Sequence, residues 1–377
     1  MAEIHGKCEA GFEGVRDAFA ANFDRGLDVG ASVAVTHNGE SVVDLWGGDC
    51  DASGAPWKED TIVNVYSTTK TMAATCILML ADRGLVDLYA PVAKYWPEFA
   101  QNGKENVLVA HVMGHTAGLS GFDEPTPKDL YDWDDIVGRL AAQAPWWEPG
   151  TKSGYHAVTQ GFLQGEIVRR VTGKTIGNFF REEVAEPLGA DFHIGLDAKH
   201  DARVADLIPP PNMKLGGGGL KEGSIVARTF AGPPLTGNEP KTREWRAAEI
   251  PAAGGIGNAR SVARIHSALA CGGTVDGVTL MSEAGVERAL EEQSRGKDQV
   301  LNANFVLGMG FGLTDATFPI SPNKRAFFWG GWGGSLAVID LDARVSIAYV
   351  MNRMEPNLTG DPRGAGVVKA AFDSLGA

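Results

Sequence analysis

The stretch Ile62-Val63-Asn64-Val65-Tyr66-Ser67-Thr68-Thr69-Lys70-Thr71 runs directly into Met72-Ala73-Ala74-Thr75-Cys76-Ile77-Leu78-Met79-Leu80, and Lys70 is the only charge between Asp60 and Asp82. A strand-like run thus hands over to an apolar helix at Ser67. On a helix, residues three apart share a face with Cβ atoms about 5 to 6 Å apart, so Lys70 can set its amine against the Ser67 hydroxyl. Burial lowers an amine's pKa, and a neutral amine can take the serine proton and create a nucleophile. The helix start adds partial positive charge and free N–H groups beside Ser67, favourable to a developing oxyanion. The competing reading is structural: Ser67 as an N-cap, with Lys70 snorkelling to water.

The string S-x-x-K occurs twice more. Ser294-Arg295-Gly296-Lys297 lies in a charged, solvated stretch where a lysine keeps its proton. Ser321-Pro322-Asn323-Lys324 has prolines at 319 and 322, which break the helix the geometry needs. Both read as surface decoys. The nearest approach to G-x-S-x-G is Gly118-Leu119-Ser120-Gly121-Phe122, with Phe in place of the second glycine, and no phosphate-cradling loop is present. His111 and His115 stand four apart, but Val112 occupies the place of the catalytic Glu of H-E-x-x-H and Gly114 tends to end a helix. They read as histidines hydrogen-bonding at a helix end, and neither a metal nor a cofactor is expected.

Of the 377 residues, 34 are Lys or Arg and 47 are Asp or Glu, a net charge of −13 with no basic stripe, which excludes an electrostatic grip on nucleic acid. At 44% hydrophobic and 21% charged the chain reads as a globular, acidic protein. Residues 1–9 carry no apolar signal segment and no run of about 18 apolar residues exists, so a cytoplasmic protein without a membrane partner is expected. Cys8, Cys50, Cys76 and Cys271 read as free thiols.

Residues 8–25 place Phe12, Val15, Phe19 and Phe23 on one helical face. Two β-rich runs, 31–36 and 41–46, flank His37-Asn38-Gly39-Glu40, whose Asn-Gly pair signals a hairpin. Near the other end, 327–329, 336–340 and 345–351 read as strands and 364–375 as a helix. Between 89 and 188 the periodicity is helical, at 129–142, 157–171 and 175–184, and 201–249 loosens into Pro- and Gly-rich loops. The organisation expected is a sheet domain from residues 1–88 and 246–377 and a mainly helical domain with long loops from 89–245.

Four boxes now stand in order: Asn64-Val65-Tyr66-Ser67-Thr68-Thr69-Lys70, Met113-Gly114-His115-Thr116-Ala117-Gly118-Leu119, Glu148-Pro149-Gly150-Thr151-Lys152-Ser153-Gly154-Tyr155 and Glu186-Pro187-Leu188-Gly189. Together they resemble the serine β-lactamase and penicillin-binding-protein superfamily, and within it the class C β-lactamase-like carboxylesterases called family VIII esterases. The resemblance implies an α+β, β-lactamase/transpeptidase-like fold, an antiparallel sheet flanked by helices with an inserted helical domain.

It also implies a site. Ser67 would be the nucleophile and Lys70 and Tyr155 the general base and acid. Tyr155-His156-Ala157 corresponds to the family's Tyr-x-Asn or Tyr-x-Ser, but Ala157 cannot hydrogen-bond a substrate amide. Trp329-Gly330-Gly331 stands where the family has Lys-Thr-Gly or His-Thr-Gly, and tryptophan cannot pair with a carboxylate, which favours an uncharged, small ester. Trp329, Gly330 and Gly331 would contact substrate. The second oxyanion amide, beside that of Ser67, would come from Trp332, although Trp332-Gly333-Gly334 repeats the string and a shifted register would name Ser335. Trp146, Trp147, Trp245, Phe122 and Phe311 are candidates for an apolar pocket or for core. The expected function is a serine carboxylesterase. The open alternatives are a β-lactamase, D-aminopeptidase or acyltransferase on the same residues, a non-catalytic binding protein on the same fold, and a metallohydrolase using His111 and His115.

Overall fold

The protein is described here by a computed structural model covering residues 2–376. Fourteen strands are formed among the described residues: β1 (Ile4–Cys8), β2 (Gly30–His37), β3 (Glu40–Gly48), β4 (Val63–Asn64), β5 (Phe192–Ile194), β6 (Gly255–Gly257), β7 (Thr274–Val275), β8 (Val278–Thr279), β9 (Ser294–Lys297), β10 (Asn304–Leu307), β11 (Gly312–Leu313), β12 (Ala326–Gly330), β13 (Leu336–Asp340) and β14 (Val345–Met351). Nine of them make one antiparallel sheet in the order β1-β3-β2-β14-β13-β12-β11-β10-β9. The β2–β3 hairpin turns at Asn38 and Gly39, both at positive φ, as the Asn-Gly pair requires.

Every residue of β12, β13 and β14 is buried, the mark of strands covered on both faces. Helix Ala259–Ala270 packs on β2, β13 and β14, while helix Glu13–Asp24 packs with helix Pro362–Ser374. A second sheet, β4-β6-β5, joins the strand before Ser67 to residues 192–194 and 255–257. Helix Thr69–Asp82 is buried from Thr69 to Leu80, apolar all round as a central core helix must be, and it touches helices Thr159–Thr172, Ile176–Phe180 and Glu283–Glu287 as well as β12. Among the described residues no helix is long and apolar enough to cross a membrane.

Several local expectations shift. The first helix begins at Glu13 rather than 8, because residues 4–8 pair with β3 as an edge strand whose middle is exposed and polar. The charged run at 294–297 is also an edge strand, paired with β10. A strand puts i and i+3 on opposite faces, so Ser294 and Lys297 lack the geometry Ser67 and Lys70 have. Ser321 is not on the surface: it is buried and its hydroxyl donates to the buried carboxylate of Asp340.

The helical region rests on one fully buried carboxylate. Glu166 accepts from Trp133 Nε1 at 2.9 Å, from Arg169 Nε at 2.7 Å and from Arg170 Nε at 2.7 Å. Burial by itself raises its pKa, but the donors of Arg169, Trp133 and Arg170 outweigh burial and hold the carboxyl below its usual value. A depressed carboxyl adds stability above its unfolded pKa that is lost as pH falls through the folded one. Breaking a buried pair costs about 3 to 5 kcal/mol. Both arginines are about a third exposed and can rehydrate, so Glu166→Ala is expected to lower the unfolding free energy by about 2 kcal/mol at pH 7. Urea titrations should find that difference shrinking as pH drops below about 4.

Candidate active site

The position of Ser67 begins with a strained residue. Tyr66 has φ +44°, uncommon for a bulky side chain, and the surroundings hold it there. Its ring packs edge-on to Trp332 at 5.1 Å and to Trp245 at 6.0 Å, and its carbonyl accepts from Thr69 Oγ1 at 2.5 Å. Thr69 Oγ1 in turn accepts from Gly255 N at 2.9 Å, and Val65 N donates to Gly255 O. The chain therefore turns sharply from β4 into the helix, and Ser67 sits in its opening turn.

At Ser67 Oγ two groups converge, Lys70 Nζ at 3.1 Å and Tyr155 Oη at 2.6 Å. Lys70 also donates to the carbonyls of Ala157 at 2.7 Å and Ala252 at 3.0 Å, has no ion pair among the described residues and is only 1% exposed. Burial pushes its pKa well below the ordinary lysine value. A neutral amine has two hydrogens and one lone pair. The two carbonyls take the hydrogens, and the lone pair is left for the serine proton.

Tyr155 responds in the opposite direction. Burial raises its pKa, although its bond to Ser67 and the nearby Trp329 indole work against the rise. The favoured pair is therefore a neutral amine and an intact phenol. Tyr155 N donates to Asp298 Oδ1 at 3.0 Å, and the same oxygen accepts from Val300 N and Leu301 N, so a buried aspartate fixes the backbone carrying the phenol.

Around the phenol stand Trp329, with ring centroid 5.5 Å away, and His115, at 5.0 Å. Trp329 Nε1 is buried and approaches the Tyr155 hydroxyl without reaching hydrogen-bond geometry. The histidines form a scaffold. His156 N donates to His115 Nδ1, His156 Nε2 accepts from Leu119 N, and His156 Nδ1 then donates to Gly154 O. Burial pushes His156 down to about 3 and pushes His115 well down too, so both are neutral. His111 accepts from Leu108 N at its own helix start, apart from His115, and no cluster of three metal-ligating side chains occurs among the described residues.

Gly331 lies against the nucleophile's strand, where a Cβ would stand 2.1 Å from Val65 O. Ser335 latches the same turn, its hydroxyl donating to Val65 O at 2.8 Å and meeting Thr68 Oγ1 at 2.9 Å. The amides of Ser67 and Trp332 donate to no protein acceptor among the described residues. Of the candidate aromatic residues, Trp245 faces Tyr66 and donates to Asn64 Oδ1, and Trp147 packs edge-on to His156. Trp146 binds Asp123 and lies under Arg228 at the surface, whereas Phe122 and Phe311 are core. A cavity of about 550 Å³, lined by Lys214, Leu220, Lys221, Val226 and Asn302 among others, shares Phe230, Val300 and Leu301 with the apolar cluster that contains Tyr155 and Trp329.

Sequence reasoning missed Asp298 and Ala252, and it named Ser335 only as the alternative oxyanion donor, not as the latch on Val65. Asp298 carried the one usable signal, an acidic residue before the apolar pair Val300-Leu301, whose amides it caps.

The beta-lactamase family profile matches residues 19–372. Among curated proteins the chain is similar to the esterase/beta-lactamase LipL of Mycobacterium tuberculosis, 38% identical over 373 residues that cover 93% of this chain and 83% of LipL. Among solved structures it is similar to a family VIII carboxylesterase, 46% identical with TM-score 0.93 over 99% of this chain and 100% of that one. A penicillin-binding-protein homologue from Caulobacter crescentus is 43% identical, also with TM-score 0.93, over 99% of this chain and 100% of that one. The fold and family expected from the sequence agree with these matches, and the chain belongs to the beta-lactamase family.

Proposed function

We propose that this chain, a serine hydrolase of the esterase branch, cleaves small, uncharged, short-chain esters through an acyl-enzyme on Ser67. The observation that carries the reading is the convergence of Lys70 Nζ and Tyr155 Oη on Ser67 Oγ, with the remaining amine hydrogens held by Ala157 O and Ala252 O. The names of the similar proteins, esterase and carboxylesterase, support the reaction class.

In this reading Ser67 Oγ bonds to the ester carbonyl carbon as its proton passes to Lys70. The amides of Ser67 and Trp332 stabilise the tetrahedral oxyanion. Trp332 is preferred to Ser335 because Gly331 abuts Val65 and the Trp332 ring lies on Tyr66, beside the nucleophile. The carbon–oxygen bond to the alcohol then breaks, Tyr155 protonates the departing oxygen, and Lys70 returns a proton to Tyr155. Water repeats the sequence on the acyl-enzyme, giving its proton to the pair while Ser67 Oγ is reprotonated. Residues 1–88 with 246–377 act as a sheet unit and 89–245 as the helical unit, the former contributing Ser67, Lys70 and Trp329 to Trp332, the latter Tyr155.

β-Lactam hydrolysis on the same serine is a second reading, favoured by the double name of LipL. Trp329 weighs against it, since an indole offers no charge to a carboxylate.

With a short-chain aryl ester, Ser67→Ala should lower kcat at least about 10³-fold and remove both the burst and the acyl adduct seen by intact mass, and Tyr155→Phe should cost about 10²-fold or more. Full turnover by Ser67→Ala would overturn the reading.

The pH dependence has a definite sign. Lys70 must be neutral, so kcat/KM should fall on the acid side as it takes up a proton and hold through neutral pH, because its pKa is depressed. Lys70→Arg, charged throughout, should be inactive at every pH tested.

The uncharged ester should have a higher kcat/KM than a penicillin, and Trp329→Lys should move the ratio toward the penicillin. The opposite order in the wild type would sink the substrate assignment.

A further inference from the structure

On the side of the 331–335 turn away from Ser67 lies a buried arginine whose every donor is engaged. Arg363, from the first turn of helix Pro362–Ser374, donates through Nη2 to the carbonyl of Gly333 at 2.7 Å and to Asp361 Oδ2 at 2.5 Å. Its Nε also donates to Asp361, and Nη1 donates to Asp28 Oδ1 at 3.0 Å, to Arg353 O at 2.8 Å and to Leu27 O at 3.2 Å. The Arg363, Asp28 and Asp361 side chains are at most 2% exposed, and Tyr349 Oη bonds Asp28 from beneath. With five N–H groups committed to protein acceptors, the guanidinium has none for a substrate carboxylate.

What it does hold is the turn. Gly333 O accepts a second bond, from Glu355 N at 3.0 Å, and Gly333 N donates to Asn357 O. Gly334 is at φ +127°, and a Cβ there would stand 2.4 Å from Arg363 Nη2. On the opposite side Ser335 is latched to Val65 and Thr68. Trp332 is thus carried between two anchors, one on the nucleophile's segment and one on Arg363.

We propose that Arg363 is a positioning residue for the oxyanion site: through Gly333 O it fixes the turn that aims the Trp332 amide at the carbonyl undergoing attack. This rests on the reading of Trp332 as the second oxyanion donor. Loss of one oxyanion donor costs about 10² to 10³ in kcat, and a displaced donor costs part of that.

Arg363→Lys keeps a cation for Asp28 and Asp361 but cannot reach all the acceptors of a planar fork. With an uncharged aryl ester it should lower kcat about tenfold or more and leave KM within about threefold. The affinity for an alkyl boronic acid, which forms a tetrahedral anion on the serine, should fall in the same proportion as kcat. Glu166→Ala is the control, because it breaks a buried ion-pair cluster that touches neither Arg363 nor the turn: its melting temperature should fall comparably, with kcat within about threefold. Folded Arg363→Lys with wild-type kcat, or with unchanged boronate affinity, overturns the proposal, as does an equal loss of kcat in Glu166→Ala. If Arg363→Lys does not fold, Asp361→Asn, which loosens the clamp while leaving the arginine, is held to the same readouts. An inactive Ser67→Ala beside a fully active Arg363→Lys rejects the role of Arg363 alone; an active Ser67→Ala rejects the catalytic reading and this proposal together.

Discussion

The structure depends on keeping one lysine amine uncharged in a place where water cannot reach it. Lys70 has no acidic partner, and an unpaired ammonium in such a site is disfavoured by several kcal/mol. Two backbone carbonyls, 87 and 182 residues along the chain, supply what a neutral amine can use and nothing that would hold it charged. That constraint explains the company Lys70 keeps. The helix that carries it is buried for twelve residues, and the segments bearing Ala157 and Ala252 must close over its first turn.

The same logic runs through the neighbouring groups. Tyr155 is held as a phenol, and His115 and His156 are neutral, so none of these side chains brings a charge to Ser67 Oγ. In the proposed mechanism the oxyanion meets amide dipoles, and dipoles fixed by the fold need no reorganisation as charge develops. Trp329 in place of a cation is consistent with that environment. It adds a ring to the wall of Tyr155 and His115 where an ammonium would have needed a counter-ion.

What could be read from the residues follows what each type can do alone. Asn38-Gly39 announced its hairpin because few dipeptides accept two positive φ values, and Ser67 with Lys70 stood out because a lone charge in an apolar run has few explanations. Ala157 and Ala252 could not be found this way, since their contribution is a carbonyl that every residue possesses. Asp298 and Arg363 looked like ordinary charges; only the fold reveals that one caps Tyr155 and the other clamps Gly333. The edge strands β1 and β9 were hidden by their charge, which protects an exposed edge but weakens the alternation by which strands are recognised. The helix of Ser67 and the tail strands β12 to β14, being apolar and long-range partners of one another, were legible.

The carbonyl pair around Lys70 also makes proton release part of folding. In the unfolded chain Lys70 titrates as an ordinary lysine, whereas in the folded chain burial lowers its pKa well below that value. Folding at a pH between the two values therefore liberates a proton from this position, and the calorimetric heat of refolding there carries a contribution that depends on the ionisation enthalpy of the buffer. The unfolded state binds more protons here, so this residue opposes folding increasingly as the solution is acidified and ceases to do so only near pH 10. The proposed general base is thus prepared by the chain's collapse rather than by any encounter with substrate.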